Sequence, residues 1–447
     1  MKYDIAILGA GPGGYNAALK AAKLGAKAVL IEKDQLGGVC LNWGCIPTKT
    51  LLKSSLTYRQ VKKAYLYGIE IENARLDFDK VMQRKNKVVS ALRSGLSSLL
   101  KTNGIEVING TGCISGINRI SIDNFIVEAK NIIIATGTSP DVLPVEGMED
   151  SCVILSDQAL SLDEVPASVV IIGGGVVGIE FAAMLNDFGT GVTVIELKEN
   201  ILSGFDFEVS VQMRKMLGRA GIEIITSASV KSIRDGVVTF EQQGQADARK
   251  ADKVMVSVGR KPNTDGLFSS DLGLQMKNSY IITDFHMRTN VDNIFAIGDV
   301  NGKEMLAHTA YAEGTVAAEN ALGINSEMTY ESIPKCVYTY PEIAMVGLTE
   351  IEAKDIYGSR IKVGKYPLRS NGRALAEGII EGFCKVISND KDGSILGVHI
   401  IAPYATEMIN AATLAIKQGI KDIEISKLIY PHPTISEIIG EAFMEII

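Results

Sequence analysis

The sequence predicts an α/β protein built on two copies of one strand–helix–strand unit. In each copy an apolar strand runs into glycines spaced G-x-G-x-x-G, a helix-forming stretch follows, and a second strand ends in Glu. The copies lie 164 residues apart, and five residues coincide at that offset. Such a match is hard to produce by chance, so the chain is predicted to contain a duplicated fold.

The first copy occupies the first 32 residues. YDIAILGAGPGG gives a strand and the glycines Gly9, Gly11 and Gly14, YNAALKAAKLGA predicts a helix, and KAVLIE predicts a strand ending at Glu32. Glycines at these positions allow a tight turn, close approach of a pyrophosphate and close helix packing, and the helix N-terminus favours anions. Since Glu32 can accept hydrogen bonds from a ribose, the unit is predicted to be Rossmann-like and to bind a dinucleotide.

The second copy is ASVVIIGGGVVGIEFAAMLNDFGTGVTVIE. Its matching residues are Gly173, Gly175, Gly178, Gly189 and Glu196. Two dinucleotides are therefore expected, and a flavin beside a nicotinamide is the usual chemical reason to hold two. If the second unit takes the nicotinamide, Glu196 favours NAD over NADP, because a carboxylate pairs with a ribose 2′-hydroxyl and repels a 2′-phosphate.

Three later segments are predicted to line cofactors. NIIIATGTSP (131–140) and KVMVSVGRKPNT (253–264) are apolar strands that end in small-residue turns, one after each copy. NIFAIGDV (293–300) predicts a strand with Asp299 at its carboxyl end. An acid there can bind a ribityl or ribose hydroxyl, although a plain turn residue is the alternative.

Composition limits the possible partners and the compartment. The chain has 447 residues, which predicts two to four domains, and its 45 Lys and Arg against 52 Asp and Glu give a net charge of −7. With no basic excess and no apolar run near the ~20 residues of a membrane span, we expect no nucleic-acid partner and no membrane span. The N-terminus enters a strand at once and six cysteines make no disulfide scaffold, so a cytoplasmic location is expected.

The stretch GGVCLNWGCIPTK holds Cys40 and Cys45. A metal site would need more ligands nearby, and the other cysteines are isolated, so no metal is expected. Inert buried thiols remain an alternative, but a redox-active disulfide fits best. Gly44 and Pro47 restrain the backbone around the pair, and a helix predicted to begin near Thr48 would place its positive end at the thiolates and lower their pKa.

A dithiol that works at neutral pH needs a base, and His has the suitable pKa. His399 lies in a strand pattern, His286 in a surface loop and His308 at a helix entry. His432 differs, because it lies between two prolines in YPHPTISEIIGEA and precedes a helix that carries Glu437 in its first turn. A carboxylate there could hold the imidazole tautomer, so His432 is predicted to be catalytic, with a helix-entry spacer as the alternative.

These blocks together resemble the pyridine nucleotide–disulfide oxidoreductase family, and the likeness covers essentially the whole chain. The blocks are GAGPGG, GGVCLNWGCIPTK, the ATG turn, GGGVVGIE, FAIGD, MLAHTAYAEG, IPKCVYTYPEIAMVGLTE, SNGRALAEG and HPTISE. The cysteine segment and HPTISE are specific for the disulfide-reductase branch. The last blocks and Glu196 resemble the dihydrolipoyl dehydrogenases, the E3 components of 2-oxo-acid dehydrogenase complexes, more than the glutathione reductases, whose second unit carries arginines for a 2′-phosphate.

The resemblance implies a fold of two Rossmann-like FAD/NAD(P)-binding domains plus a C-terminal α+β dimerisation domain. The implied regions are an FAD-binding domain (1–141), an NAD-binding domain (142–267), a central domain completing the FAD site (268–333) and an interface domain (334–447). The implied assembly is a homodimer. Its lipoyl substrate would be carried by another protein, an E2 component or an H-protein, since no lipoyl domain precedes Met1.

The resemblance also implies roles for individual residues. Cys40 would exchange with the substrate dithiol and Cys45 would lie against the flavin as the charge-transfer thiolate. Lys49 would approach the flavin and pair with Glu180, while His432 and Glu437 would serve the cysteines of the partner subunit as base and orienter. The implied FAD contacts are Gly9, Gly11, Gly14, Glu32, Lys49, Gly112, Thr136, Gly137, Asp299 and Ala307. The implied NAD contacts are Gly173, Gly175, Gly178, Glu196, Val230 and Gly259.

Three departures concern substrate preference rather than this chemistry. Many family members carry His at the positions of Tyr340 and Tyr430, and Ala at the position of Pro431. Two rival functions remain: an NAD(P)H-dependent reductase of another small disulfide or of a metal ion, and a flavin-bearing protein that senses NADH. Glu196 argues against NADPH, and a sensor would need neither the cysteine pair nor the His432–Glu437 pair.

Overall fold

The computed structural model describes residues 2–447, apart from the side chain of Lys2. Its strands are β1 (Lys2–Leu8), β2 (Ala28–Glu32), β3 (Glu106–Asn109), β4 (Gly112–Gly116), β5 (Arg119–Ile122), β6 (Phe125–Ile134), β7 (Thr138–Pro140), β8 (Val153–Leu155), β9 (Ser168–Ile172), β10 (Gly191–Ile195), β11 (Glu223–Ile225), β12 (Ala228–Arg234), β13 (Val237–Gln242), β14 (Gln245–Lys250), β15 (Lys253–Val256), β16 (Arg260–Pro262), β17 (Met276–Lys277), β18 (Tyr280–Ile281), β19 (Ile294–Ala296), β20 (Lys335–Val337), β21 (Glu342–Gly347), β22 (Ile361–Pro367), β23 (Phe383–Asn389) and β24 (Ile395–Ala402).

Its α-helices are α1 (Pro12–Lys23), α2 (Gly38–Trp43), α3 (Cys45–Lys62), α4 (Phe78–Thr102), α5 (Ser156–Ala159), α6 (Val176–Phe188), α7 (Phe207–Arg219), α8 (Ala307–Ala321), α9 (Glu350–Tyr357), α10 (Gly372–Ala376), α11 (Ala405–Gln418), α12 (Asp422–Ser426) and α13 (Glu437–Met444). Short 3₁₀ helices occur at Ala64–Tyr67, Ser270–Leu272, Gly298–Asn301 and Leu368–Ser370.

The chain forms two compact units. The first contains residues 2–50, 79–141 and 259–329, and its main sheet has the order β3-β2-β1-β6-β5-β4, with β19 also paired to β6. The strands β3, β2, β1, β6 and β19 run parallel. Strand β2 is buried along its whole length, which is typical of a parallel strand covered on both faces.

Helices α1 and α8 pack tightly in this unit, although about 300 residues separate them in the sequence. A Cβ on Gly314 would lie 2.5 Å from the carbonyl oxygen of Gly13, and a Cβ on Gly13 would lie 3.1 Å from that of Ala310. Only glycine allows the two backbones to come this close. The first dinucleotide turn therefore rests on a helix from the far end of the unit.

The second unit contains residues 51–78, 142–258 and 330–447. Its parallel sheet has the order β11-β10-β9-β15-β8, and a three-stranded antiparallel sheet, β12-β13-β14, follows β11 in the chain. The C-terminal part is an antiparallel sheet of order β20-β21-β24-β23-β22. Its apolar core contains Val398, Ile409 and Phe443, contributed by β24, α11 and α13.

A buried ion cluster lies in the second unit. Lys385 on β23 is 1% exposed, and its Nζ lies 3.0 Å from Asp206 Oδ1, 2.9 Å from Glu208 Oε2 and 2.6 Å from Glu350 Oε2. Asp206 caps α7 by accepting the Glu208 backbone N–H at 3.1 Å. His399 is also buried, and the negative charge of Asp206 acts on its imidazole. The cluster ties the start of α7 to β23 and to the start of α9.

The predicted fold class is confirmed, including both strand–helix–strand units and the C-terminal α+β region. One local prediction was wrong: the helix after the cysteines begins at Cys45 rather than near Thr48. Pro47 does not delay the helix, because proline is tolerated in a first turn, where the backbone N–H has no intrahelical partner.

Candidate active site

Both dinucleotide turns use their glycines in the same way. A Cβ on Gly9 would lie 2.3 Å from the Ala135 carbonyl oxygen, and a Cβ on Gly14 would lie 1.9 Å from that of Gly9. By contrast, a Cβ on Gly11 would find only the Cα of Gly38, at 4.0 Å. The first and third glycines are thus required by packing, while the second leaves space for a ligand.

The second glycine turn has nearly the same distances as the first. A Cβ on Gly173 would lie 2.4 Å from the Ser257 carbonyl oxygen, and one on Gly178 would lie 2.0 Å from that of Gly173. A Cβ on Gly175 would find nothing within 4 Å. The glycines that match at an offset of 164 residues in the sequence therefore also match in local geometry.

The glutamate at the end of each second strand is held by backbone amides. Glu32 accepts the N–H of Ala10 at 2.7 Å on Oε2 and that of Asp34 at 2.9 Å on Oε1. Glu196 accepts the corresponding N–H groups of Gly174 at 2.6 Å and Lys198 at 2.8 Å. These bonds fix each carboxylate beside its glycine turn and leave further lone pairs for ribose hydroxyls.

The residues fit a dinucleotide at each turn. Helices α1 and α6 begin directly after the second glycine of their motif, carry no acidic side chain in the first turn and have no side-chain cap. Their first backbone N–H groups and the positive end of each helix dipole therefore favour a phosphate.

Asp299 lies in a short 3₁₀ turn after β19. Its Oδ2 accepts the Thr138 hydroxyl at 2.7 Å and lies 3.9 Å from Arg260 Nε. Glu313 on α8 is fully buried and fixes this turn, because its Oε2 accepts the Gly298 N–H at 2.6 Å and an Asn301 amide N–H at 2.9 Å. The sequence reasoning did not include Glu313, although it lies within the block MLAHTAYAEG.

The two cysteines form a hydrogen-bonded dithiol. Cys40 lies in α2, Cys45 opens α3, and Gly44 separates the two helices. A hydrogen bond to the Cys45 side chain raises the pKa of Cys40, burial raises it further, and the charge of Lys49 and the Cys45 backbone N–H only partly offset this. The prediction that the helix would lower this pKa was therefore wrong for Cys40, because the coupling to Cys45 outweighs the helix.

His432 and Glu437 form the predicted pair. His432 Nδ1 lies 2.8 Å from Glu437 Oε1, and Glu437 Oε2 accepts the Thr434 backbone N–H at 2.8 Å. The hydrogen bond from His432 lowers the pKa of Glu437, so this carboxyl is ionised at neutral pH. Because 80% of the His432 side chain is exposed, its Nε2 edge is available to a group outside the protomer.

The remaining predicted residues are spread over both units, and their roles stay predictions. Lys49 lies in α3, and buried Glu180 in α6 accepts the Tyr338 backbone N–H at 2.9 Å. A Cβ on Gly112 would lie 2.4 Å from a terminal methyl group of Leu8, so core packing disfavours a larger residue there. Val230 is buried in β12. Ala307 opens α8, Thr136 donates its hydroxyl to the Asn263 carbonyl, and Gly137 and Gly259 both have positive φ.

The other histidines have different surroundings. His399 is buried in β24 and its Nε2 lies 3.0 Å from the Leu348 carbonyl oxygen, as a structural role predicts. His286 lies outside the helices and strands, and its Nδ1 lies 2.8 Å from the Ser326 carbonyl oxygen. His308 is in the first turn of α8, which confirms its placement at a helix entry. No group of metal-ligating side chains occurs within residues 2–447.

Two family models match the chain. The model described as pyridine nucleotide-disulphide oxidoreductase matches residues 3–314, and that of the dimerisation domain of the same enzymes matches residues 333–443. The chain belongs to the pyridine nucleotide–disulfide oxidoreductase family. As a member of this family it is an oxidoreductase that uses FAD and NAD, and it carries the family's dimerisation domain.

Individual relatives in this family are similar over nearly the whole length. Dihydrolipoyl dehydrogenase from Geobacillus stearothermophilus is 43% identical, with 98% of this chain and 94% of that protein covered. Dihydrolipoyl dehydrogenase from Bacillus subtilis (strain 168) is 41% identical, with 99% and 97% covered. Among solved structures, a Cu(II) complex of the HOCl-induced flavoprotein disulfide reductase RclA from Escherichia coli gives a TM-score of 0.89 at 28% identity, with 99% of each chain covered.

One further feature of the site escaped the sequence reasoning. The hydroxyls of Tyr15 on α1 and Tyr311 on α8 are hydrogen-bonded to each other, and their rings meet edge to face with centroids 5.6 Å apart. Tyr15 directly follows the block GAGPGG, and Tyr311 lies inside the block MLAHTAYAEG. Only the packing of α1 on α8 brings them together.

Proposed function

We propose that this protein is a dihydrolipoyl dehydrogenase that oxidises protein-bound dihydrolipoyl groups with NAD, through a redox-active Cys40–Cys45 disulfide and FAD. The observation that carries the proposal is the hydrogen-bonded dithiol directly after the first strand–helix–strand unit. The His432–Glu437 pair and full-length relatives of that name support the same reaction.

The thiol chemistry is assigned to the chain's own residues. His432, held by Glu437, takes the proton of one substrate thiol, and the resulting thiolate attacks Sγ of Cys40 in the oxidised pair. The Cys40–Cys45 bond breaks and Cys45 leaves as a thiolate. The second substrate thiol then attacks the first substrate sulfur, closes the lipoyl disulfide and expels Cys40, whose sulfur takes the proton of that second thiol. The substrate has then lost two electrons and two protons, and the enzyme holds the electrons on its cysteine pair and the protons on Cys40 and His432.

The raised pKa of Cys40 supports these separate roles, in which Cys40 exchanges with the substrate and Cys45 leaves as the thiolate. The proton of the dithiol stays on Cys40, so Cys45 is the sulfur suited to carry negative charge. Bound FAD supplies the two-electron relay from the dithiol to NAD. The positive charge of Lys49 acts to lower the pKa of Cys40 and so favours the anionic sulfurs of the reduced state.

The proposed assembly follows from the dimerisation domain. His432 is exposed in its own protomer, which supports a homodimer in which it serves the cysteines of the partner subunit. The lipoyl groups would be presented by an E2 component or an H-protein. The proposed location is the cytoplasm. Among the helices of residues 2–447, none is both long and apolar enough to cross a membrane.

The test is a comparison of substrate pairs on the purified holoenzyme. Dihydrolipoamide with NAD should give fast turnover, and oxidised glutathione with NADPH should give almost none. Faster turnover with glutathione and NADPH would contradict the proposal and support the reductase of another small disulfide.

A histidine pair tests the assigned base. His432→Ala should lose about 10²- to 10⁴-fold in dihydrolipoamide oxidation, which is what a positioned base contributes. His286→Ala is the matched control, because the His286 ring contacts the Ser326 carbonyl oxygen and the Glu327 carboxylate, and neither residue is given a role in the reaction. Equal losses in the two variants would contradict the role of His432.

A further inference from the structure

The second unit contains a cavity of about 390 Å³ that is lined by residues without a role in the proposed reaction. Its walls come from the C-terminal ends of α3 and α6, the second half of α7 and the segment of Thr339 and Tyr340. Asp187 in this wall lies 11 residues after Val176, the first residue of α6, and therefore about 16 Å along the helix from the second glycine turn. The cavity is separate from that turn, and its volume is typical of a small-molecule site.

Within the described part of the chain, the guanidinium group of Arg59 makes only long polar contacts. Its Nη1 and Nη2 both lie 3.5 Å from the Tyr340 carbonyl oxygen, and Nη1 lies 3.7 Å from Asp187 Oδ1. The group also lies over the Tyr340 ring, 5.1 Å from its centroid. Since an arginine paired with a carboxylate holds it at about 2.7–2.9 Å, Arg59 keeps the capacity to bind a further acceptor.

The cavity has more positive than negative side chains. Its charged lining residues are Arg59, Lys62, Lys63, Arg219, Asp187 and Glu381. Arg219 and Glu381 form an ion pair and largely cancel each other. Burial raises the pKa of Asp187 to about 6, although the three cations of α3 lower it, so this carboxyl is easily neutralised. An anion that enters the cavity therefore meets a net positive charge.

Helix α7 and the residue Ile222 after it give the cavity an apolar wall. Met213, Leu217 and Ile222 are buried, and Met216 is half-buried. Methionine side chains adapt to ligands of different shape. An apolar wall beside a few charged groups is the usual composition of a site that binds a small organic molecule.

We propose that this cavity binds a small organic monoanion, with its carboxylate on the Arg59 guanidinium and its apolar body against Met213 and Met216. The planar guanidinium matches a carboxylate through two parallel hydrogen bonds. Asp187 and Glu381 in the same cavity disfavour a second negative charge. A carboxylate therefore fits better than a phosphate monoester, which carries a charge of about −1.5 to −2.

Direct binding of 2-naphthoate to the purified holoenzyme tests this site. Isothermal titration calorimetry in saturating NAD keeps the probe out of the nicotinamide site. We expect 2-naphthoate to bind, and the neutral 2-naphthalenemethanol and the more highly charged 2-naphthyl phosphate each to bind about tenfold more weakly or worse. Absence of 2-naphthoate binding at millimolar concentration would overturn the proposal. Tighter binding of the alcohol or of the phosphate would overturn the choice of a carboxylate.

Three variants place the probe in the cavity. Arg59→Gln should weaken 2-naphthoate binding about 10- to 100-fold, because a charge-assisted pair is lost. Arg214→Gln is the matched control, since it removes the same charge from an exposed position of α7 outside the cavity, and it should bind as the wild type does. Asp187→Asn removes a like charge and should bind about tenfold more tightly, a gain that misfolding cannot produce. Equal affinities in Arg59→Gln, Asp187→Asn and Arg214→Gln would overturn the proposal.

Discussion

At the scale of single residues, the carboxylate of Glu196 is held in one position by backbone hydrogen bonds. Both of its carboxylate oxygens already accept a backbone N–H, from Gly174 and Lys198, so the side chain cannot swing away from the turn when a ligand arrives. A 2′-phosphate would have to approach a fixed negative charge. We therefore expect the position of this one side chain to favour NAD over NADP.

Glu196→Gln should change this preference. The neutral amide removes the repulsion and weakens the acceptor, so the ratio of kcat/KM for NAD to that for NADP should fall about 10- to 100-fold, equivalent to about 1–3 kcal/mol. Steady-state kinetics with dihydrolipoamide measure the ratio. Glu199→Gln, at an exposed position nearby, is the control and should not alter it. A wild-type enzyme that used NADP as well as NAD would already refute the role given to Glu196.

At the scale of elements, the glycine turns separate packing from binding. Gly14→Ala would drive a Cβ to 1.9 Å from a backbone oxygen, so β1 and α1 cannot keep their contact. Gly11→Ala has open space and should fold, but its methyl group would occupy the path of the pyrophosphate. We expect Gly14→Ala to accumulate as insoluble protein, and Gly11→Ala to be soluble with a normal circular dichroism spectrum and little flavin absorbance. Full flavin content in Gly11→Ala would contradict this reading of the turn.

The ion cluster around Lys385 is the second element-scale feature. Removing its charge leaves the buried Asp206 without its cation, so Lys385→Met should destabilise the protein by about 3–5 kcal/mol. Lys365→Met removes a much more exposed partner of Glu208 and should cost less than about 1 kcal/mol. Urea unfolding followed by circular dichroism compares the two. Equal losses of unfolding free energy in the two variants would mean that the stabilisation does not depend on the burial of the cluster.

The same cluster predicts a pH dependence of stability. Burial lowers the pKa of His399 despite the nearby charge of Asp206, so the unfolded chain binds a proton before the folded chain does. Stability should therefore decrease as pH falls below about 6.5, by up to about 1.4 kcal/mol per pH unit. His399→Gln should flatten the unfolding profile between pH 6.5 and 5. At lower pH the carboxyls of Asp206, Glu208 and Glu350, whose pKa values are lowered, add a further loss in both proteins.

What the sequence could predict depended on how local each signal is. Glycine spacing and the strand end at Glu32 are local patterns, and the structure has them as predicted, whereas β10 ends at Ile195, one residue before Glu196. The start of α3 at Cys45 could not be read, because Pro47 is compatible with either start. The Lys385 cluster and the Tyr15–Tyr311 pair join residues 35 to about 300 positions apart, and no periodicity reports such contacts. Contact of a site residue with its cofactor also depends on the three-dimensional arrangement and not on local sequence, so the role of each site residue stays a prediction.

At the scale of the whole molecule, the proposed site is divided between two chains. Cys45→Ser and His432→Ala homodimers should each be almost inactive. After subunit exchange, half of the dimers are mixed, and each mixed dimer has one complete site, so activity should return to about a quarter of wild type. A different affinity tag on each variant, followed by tandem purification, confirms that mixed dimers have formed. Mixed dimers that stay inactive would refute the shared site, and His432 would then serve its own chain.

The close packing of Gly13 against α8 has a consequence for how the protein is made. The glycine turn of residues 9–14 leaves the ribosome first, but β19 and α8, which complete its surroundings, are synthesised about 300 residues later. At about 5–20 residues per second this interval lasts about 15–60 s. During that time α1 lacks the helix that packs against it, while the second dinucleotide unit emerges and can fold. We therefore expect flavin capture to be a late event in biosynthesis, and we expect a chain truncated before residue 307 to be released without flavin absorbance, although its N-terminal motif is complete.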